Sequence, residues 1–421
     1  MKRAICAVLA LILVYVGLCA VDYYGSGEAR KALLAAGKTG TLTVREAPAT
    51  ANDNGVITAQ EWAAVYPEIT ASLQANADNT YRISYLEEDP YLTTVYAGFG
   101  FAKDYGSAIG HSYTLEDVAQ TKRPHPLANC LTCKTPDYTK LVNDLGDDAY
   151  SLDFNEVLGQ MHEDVSCYNC HGNDAGNKGE LVVTHSYVTE ALGAEMDKIA
   201  PAVLSCGQCH IEYYFKPENK ATAMPYDSVA AMSPEAILAY YDAMDFADWT
   251  QEATGTRLLK AQHPEMETFL GEGSAHKGLL TCADCHMGEA TAADGTTYIS
   301  HTWISPLENK TLLDNTCAQC HTDLAGQVAD IQQEAERRTY AIGYTLEGLT
   351  EKLAKAVESG KYTEEELNAI RALARDAQFY WDFVFVENSE GAHNSALTTR
   401  CLNQAEELLN QAMNLFKAEE G

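Results

Sequence analysis

At 421 residues and 46% hydrophobic composition, the chain can bury a substantial core as one large or two modest domains, which excludes disorder as its default state. A formal net charge of −31 excludes ordinary nucleic-acid binding, because phosphate contacts need clustered Lys and Arg. The acidity reads as a solvated surface.

Residues 1–21 join a basic start, Lys2 and Arg3, to an apolar run long enough to cross a bilayer, and read as a signal peptide or membrane anchor. No A-x-A site follows, and Val16, Gly17 and Leu18 make a poor lipoprotein box before Cys19. Either form exports residues 22 onward, since positive residues stay inside. Residues 22–60, with AGKTGT and ANDNG, are expected to form a tether or lead-in with little packed structure.

Thirteen cysteines in an exported chain first suggest disulfides. Ten of them instead form five C-x-x-C units between residues 61 and 325, starting at 130, 167, 206, 282 and 317. Cys6 and Cys19 lie in the leader, and Cys401 reads as a small buried apolar residue. Four units are followed by histidine: CYNCH (Cys167, Cys170, His171), CGQCH (Cys206, Cys209, His210), CADCH (Cys282, Cys285, His286) and CAQCH (Cys317, Cys320, His321). This is the c-type haem attachment signature, in which two thiols add to one porphyrin's vinyl groups and the next residue ligates its iron. Zinc fits badly, because ribbons use two units per metal, which leaves one of five over, and need no histidine after the second cysteine. CLTCK (Cys130, Cys133, Lys134) puts lysine where the others have histidine. An amine ligand there marks one haem as the candidate for chemistry.

Four electron-transfer haems capped on both faces need four further histidines. The pool is His111, His125, His162, His185, His263, His276, His301 and His393, and spacing does not assign them. Haems forming much of the core leave room for helices and loops but few strands, so a mainly α fold is predicted. Beyond the haem region, residues 326–421 are predicted as long helices: 323–358, ended by Ser359 and Gly360; a second capped by Thr363 and Glu366; and a third over 395–417. The second carries Leu367, Ile370, Ala374, Ala377, Trp381 and Val384 at helical period. These helices read equally as a buttress for the haem core and as a dimer face.

CLTCK followed by four C-x-x-C-H units resembles the ammonia-forming pentahaem cytochrome c nitrite reductases. The likeness runs from about residue 60 to 393 and includes AGFGFAKDY, GHSYTLEDVAQTKR, CGQCHIEYYF, KAQHPEME, SHTWISPL and ENSEGAHN. It implies six-electron reduction of nitrite to ammonium at the Lys134 haem, with Arg123, Tyr213 and His263 around the substrate. Five haems c and one calcium ion are implied as cofactors, the calcium held by Glu212 and Gln262 side chains and the backbone oxygens of Tyr213 and Lys260. Distal ligands implied are His301 for the second haem, His111 for the third, His393 for the fourth and His276 for the fifth. A membrane-bound quinol-oxidising multihaem cytochrome is the implied donor, a homodimer the assembly, and the periplasm or outer membrane face the location. Three points depart from the family pattern: six residues separate Arg123 from Cys130, Gly288 stands where proline is usual, and the leader could remain uncleaved. The alternative from another class is a multihaem electron conduit without a substrate of its own.

Overall fold

The computed structural model describes residues 46–78, 80–175 and 180–417. The apolar leader lies outside them, and among the described residues no helix is long and apolar enough to cross a membrane. The fold is mainly α, with three two-stranded antiparallel hairpins among the described residues: Tyr214–Phe215 with Thr222–Ala223, Trp249–Gln251 with Thr256–Leu258, and Glu289–Thr291 with Thr297–Ile299.

Three long helices form the C-terminal part, and each starts where a side chain satisfies its first free amides. The first, Leu324–Ser359, is capped by Asp323, whose carboxylate accepts from Gly326 N at 2.9 Å, and stops at Gly360 in the left-handed region at φ 61°. The second, Glu364–Phe385, opens on the predicted capping box between Thr363 and Glu366. The third, Ser395–Asn414, is capped by Asn394. It ends short of the predicted 417 because the chain turns to Tyr362, whose hydroxyl accepts from Lys417 N at 2.8 Å and whose ring meets Phe416.

All six periodic residues of the second helix are buried, as is Cys401 on the third. Trp381 joins this bundle to the preceding chain: its ring meets Tyr91 and Tyr96, and its indole N–H donates to Thr339 O at 2.8 Å. Tyr91 packs so closely that a Cβ on Gly343 would lie 2.3 Å from its ring, so the helix needs glycine there. A second, smaller core gathers Ala128, Leu131, Tyr138, Val142, Tyr150 and Phe154 around CLTCK.

The lead-in differs from expectation. Val56 and Ile57 are buried, and a capping box of Thr58 with Glu61 starts the short helix Ala59–Trp62. Asn52 and Asn54 both donate side-chain amides to Asp137 Oδ1, at 2.8 and 3.0 Å. The Asn-rich run that read as part of a tether or lead-in is a clasp on a buried carboxylate, which must be hydrogen-bonded once desolvated.

Candidate functional site

Between the long helices and the 80–320 segment lies a cavity of about 2220 Å³, lined by all five C-x-x-C units. Single small-ligand pockets span about 300–1,000 Å³. This one is large enough for several planar groups.

Two units lie wholly in a single helical turn, Cys167–His171 and Cys282–His286, and the other three begin at a helix end and run on through a turn. In Cys167–His171 and Cys282–His286 the turn is fixed by boxes of Ser166 with Asn169 and Thr281 with Asp284. One turn puts thiols three residues apart on the same face with the following histidine beside them. Neighbouring units meet through their sulfurs. Cys133 of the first unit interacts with Cys209 of the third, and Cys206 of the third with Cys282 of the fourth. Cys285 of the fourth lies within electrostatic reach of Cys317 of the fifth, and Cys170 of the second within reach of Cys209. The order in space is therefore first, third, fourth, fifth, with the second branching at the third.

Histidines from distant segments face one another across the cavity. Ring centroids are 6.4 Å apart for His171 and His301, 5.9 Å for His210 and His111, 6.0 Å for His286 and His393, and 6.1 Å for His321 and His276. Two metal–nitrogen bonds of about 2.0–2.1 Å plus the ring radii give roughly this separation. The ring nitrogens are sorted too. Nδ1 of His171, His286 and His301 faces the carbonyl oxygens of Glu180, Ile304 and Ile299, at 2.8, 3.1 and 3.0 Å. His321 Nδ1 meets Gln327 Oε1 at 2.9 Å, and His393 Nδ1 meets Glu387 Oε1 at 2.6 Å. Those oxygens only accept, so Nδ1 carries the hydrogen and Nε2 keeps the lone pair that a metal needs. The donor set fits haem iron.

Of the histidines outside the four pairs, His263 lies 6.2 Å from His210 ring to ring, and the other three sit differently. His185 is buried with Nε2 3.2 Å from Cys209 Sγ, and burial lowers its pKa to about 4. His162 joins the clasp on Asp137, and His125 lies exposed at the cavity rim at φ 53°.

Lys134 lines the cavity, its carbonyl held by Thr114 Oγ1 at 2.5 Å. Arg123, Tyr213 and His263 line the same cavity. Arg123 stands exposed at the rim, its guanidinium carbon 3.8 Å from the Phe101 ring centre and its Nε donating to Asp104 O at 3.2 Å. The short loop before Cys130 is pinned by Asp104, which also accepts from Lys122 N. Tyr213 lies within electrostatic reach of Cys130, Cys133 and Arg123, and burial raises its pKa. His263, within reach of Lys134, is exposed to the cavity, and the protein packed around that cavity lowers its pKa to about 4. It is a neutral hydrogen-bonding ring near pH 7.

Beside this group, Glu212 is fully buried, accepting from Tyr241 OH at 2.9 Å and Gln262 N at 2.6 Å. Gln262 Nε2 donates to Lys260 O at 3.1 Å. Burial first, and then nearby Glu267, drives the Glu212 pKa up, although the Gln262 amide opposes this. A buried carboxylate with the Gln262 side chain and the Lys260 carbonyl in the same contact chain offers hard oxygen donors of the kind that suit a divalent cation. The Lys260 ammonium points away from it, to both oxygens of Asp382 at 2.9 and 3.1 Å.

Gly288 has φ 74°, which proline's ring forbids, and a Cβ would meet Asn309 Nδ2 at 2.8 Å. The departure from proline is thus required by the turn into the third hairpin. Sequence reasoning missed Glu265, Glu387 and Asp382, although KAQHPEME and ENSEGAHN contain the first two. Their signal was an acidic residue two or six positions from a histidine inside a quoted motif.

The structure superposes on the cytochrome c nitrite reductase catalytic subunit from Desulfovibrio desulfuricans, a protein described with two calcium sites, with TM-score 0.77, 25% identity and 87% of each chain covered. An outer cell wall cytochrome, OcwA, aligns at TM-score 0.39 and 20% identity, covering 71% of this chain and 48% of that one. An undecahaem S-layer cytochrome from Carboxydothermus ferrireducens aligns at 0.37 and 16%, covering 75% and 42%. Residues 58–419 match the cytochrome c552 family, and with five attachment units lining one cavity the chain belongs to that family.

Proposed function

We propose that this chain reduces nitrite to ammonium with six electrons, at a haem that Cys130, Cys133 and the Lys134 amine would hold. Haem iron, when bound, supplies the electron transfer and an open coordination position. The chain supplies ligand choice, orientation and charge. Arg123 offers a guanidinium to the oxygens of a small anion, and Phe101 beneath it restricts where it aims. His263 donates a hydrogen bond as a neutral ring and passes a proton at the stage where an N–O bond breaks. Tyr213, whose raised pKa keeps its phenol protonated, donates to later intermediates. Glu212, Gln262, and the backbone oxygens of Tyr213 and Lys260 hold one calcium ion, which fixes Tyr213 and His263 and adds positive charge beside an anion site.

The observation that carries this reading is the inequality among the five units. Four have histidine pairs across the cavity, whereas Lys134 shares its region with Arg123, Tyr213 and His263. The similarity to the Desulfovibrio desulfuricans nitrite reductase supports the same substrate. The reading extends to an exported protein at the periplasmic or outer face of the membrane, its leader serving as signal or anchor. Electrons come from a membrane-bound quinol-oxidising multihaem cytochrome, and residues 326–421 pack on the haem region and form a homodimer interface.

The test is ammonium formed per nitrite consumed, with reduced viologen as donor and Lys134→His alongside. One-to-one stoichiometry with most activity lost in the variant is expected. Five bound haems with no nitrite consumption would leave the electron conduit as the account.

A further inference from the structure

The hydrogen bond at the outer nitrogen of an axial histidine sets how strongly the inner nitrogen donates, and a carboxylate acceptor makes the ring more basic than a carbonyl does. A more basic ligand favours the oxidised iron and lowers its reduction potential. Around this cavity the acceptors are of two kinds. Both histidines of the second unit, and His321 of the fifth, face neutral oxygens.

One histidine of the fourth unit and one of the third face carboxylates, whereas His286 of the fourth faces the neutral carbonyl of Ile304. His393 Nδ1 meets Glu387 Oε1 at 2.6 Å, and Glu387 is 3% exposed. Ser389 Oγ donates to the other Glu387 oxygen at 2.6 Å and accepts from His393 N at 2.9 Å, which closes a ring around the ligand. His210 Nδ1 lies 3.7 Å from Glu265 Oε2, a buried oxygen without a hydrogen-bond partner, so this carboxylate acts on the ring through charge at ion-pair distance and not through a formed hydrogen bond. Glu265 Oε1 takes Asn388 N at 3.3 Å and the Asn388 side-chain amide. Asn388 follows Glu387, so one turn anchors both carboxylates. The sulfur contact between Cys206 and Cys282 makes the two units neighbours, and the third abuts the first through Cys209 and Cys133.

We propose that Glu387 and Glu265 act as positioning residues that lower the potentials of the fourth and third haems below those of the second and fifth. The inference rests on the haem assignment above. Lowering the third haem, which abuts the lysine-ligated unit, adds driving force to the last electron step and holds reducing power at the centre of the route.

Redox titration of the purified holoprotein, followed by electron paramagnetic resonance of the low-spin signals, tests this. Glu387→Gln should shift one midpoint upward and Glu265→Gln a different one, with the rest unmoved. The reciprocal variant is Gln327→Glu, at an exposed position in the first turn of the first long helix, which gives His321 a carboxylate and should shift one midpoint downward. Should Glu387→Gln release His393, a new high-spin signal reports it and Gln327→Glu decides alone. Unmoved midpoints in variants that keep their low-spin signals overturn the proposal. A chain lacking five haems fails the haem assignment instead, which haem content measures separately.

Discussion

His185 has its ring 4% exposed and is used in neither the histidine pairs nor the substrate group. Burial lowers its pKa to about 4, against a reference of about 6.5. The unfolded chain therefore binds a proton there that the folded chain refuses, so the contribution is intact above about pH 6.5 and is lost as pH falls through 4. The loss is roughly 3 kcal/mol at the acid end, by about 1.36 kcal/mol per unit. Thermal unfolding between pH 7 and 4.5 should show a steeper drop for the parent than for His185→Gln. At Arg123 the prediction concerns geometry. Arg123→Lys keeps the charge but loses the planar fork and its stacking on Phe101, so nitrite kcat/KM should fall about 10–100-fold, from about 1.5–3 kcal/mol per charged hydrogen bond. Steady-state kinetics with haem content held at five checks it. Wild-type kcat/KM in the variant would remove Arg123 from the substrate group.

At the scale of elements, the three long helices were legible because their signals are local. Thr363 with Glu366, Gly360, and apolar residues at helical period act within a few turns of the backbone. What these helices touch was not legible. Trp381 sits at the right period, yet only the fold brings Tyr91, Tyr96 and the Thr339 carbonyl to it. Trp381→Ala should cost about 3–5 kcal/mol, measured by denaturant unfolding, because the cavity left is ringed by rigid aromatics. Gly343→Ala tests the same joint from the other side. The added methyl overlaps the Tyr91 ring and should cost about 1–3 kcal/mol, where a helix glycine without a close neighbour would gain from alanine. The 52–60 clasp was misread for the opposite reason. Asn and Gly are turn formers, and nothing local says that Asn52 and Asn54 close on a carboxylate some 80 residues away, at Asp137.

For the whole molecule, the balance of charge decides how the site works. A chain of net charge −31 that receives an anion needs local positive charge, which screening over about 8 Å makes sufficient. Under the proposed function, Arg123 at the rim and the cation proposed on Glu212 and Gln262 would meet that need in one region. Chelation of divalent ions should lower nitrite turnover with all five haems retained, and added calcium should restore it where magnesium does not, because magnesium demands a tighter octahedral set. Unchanged turnover in calcium-free holoprotein would sink the calcium role.

The sequence by itself determined the covalent chemistry: ten thiols in pairs three residues apart, four adjacent histidines and one lysine. Those groups lie within a few residues of one another in each unit, so spacing alone specifies them. The pairing of histidines was beyond spacing, since His171 and His301 are brought together only by the folding of the chain between them. The family resemblance named the partners; the tertiary structure put the rings about 6 Å apart and chose which nitrogen faces inward. It also decided that one acceptor is the Glu387 carboxylate and that Glu265, tied to the same turn through Asn388, lies at ion-pair distance from His210. A hydrogen bond between segments far apart in sequence has no local signature, because its energy depends on distance in space and on burial, and both are properties of the folded chain.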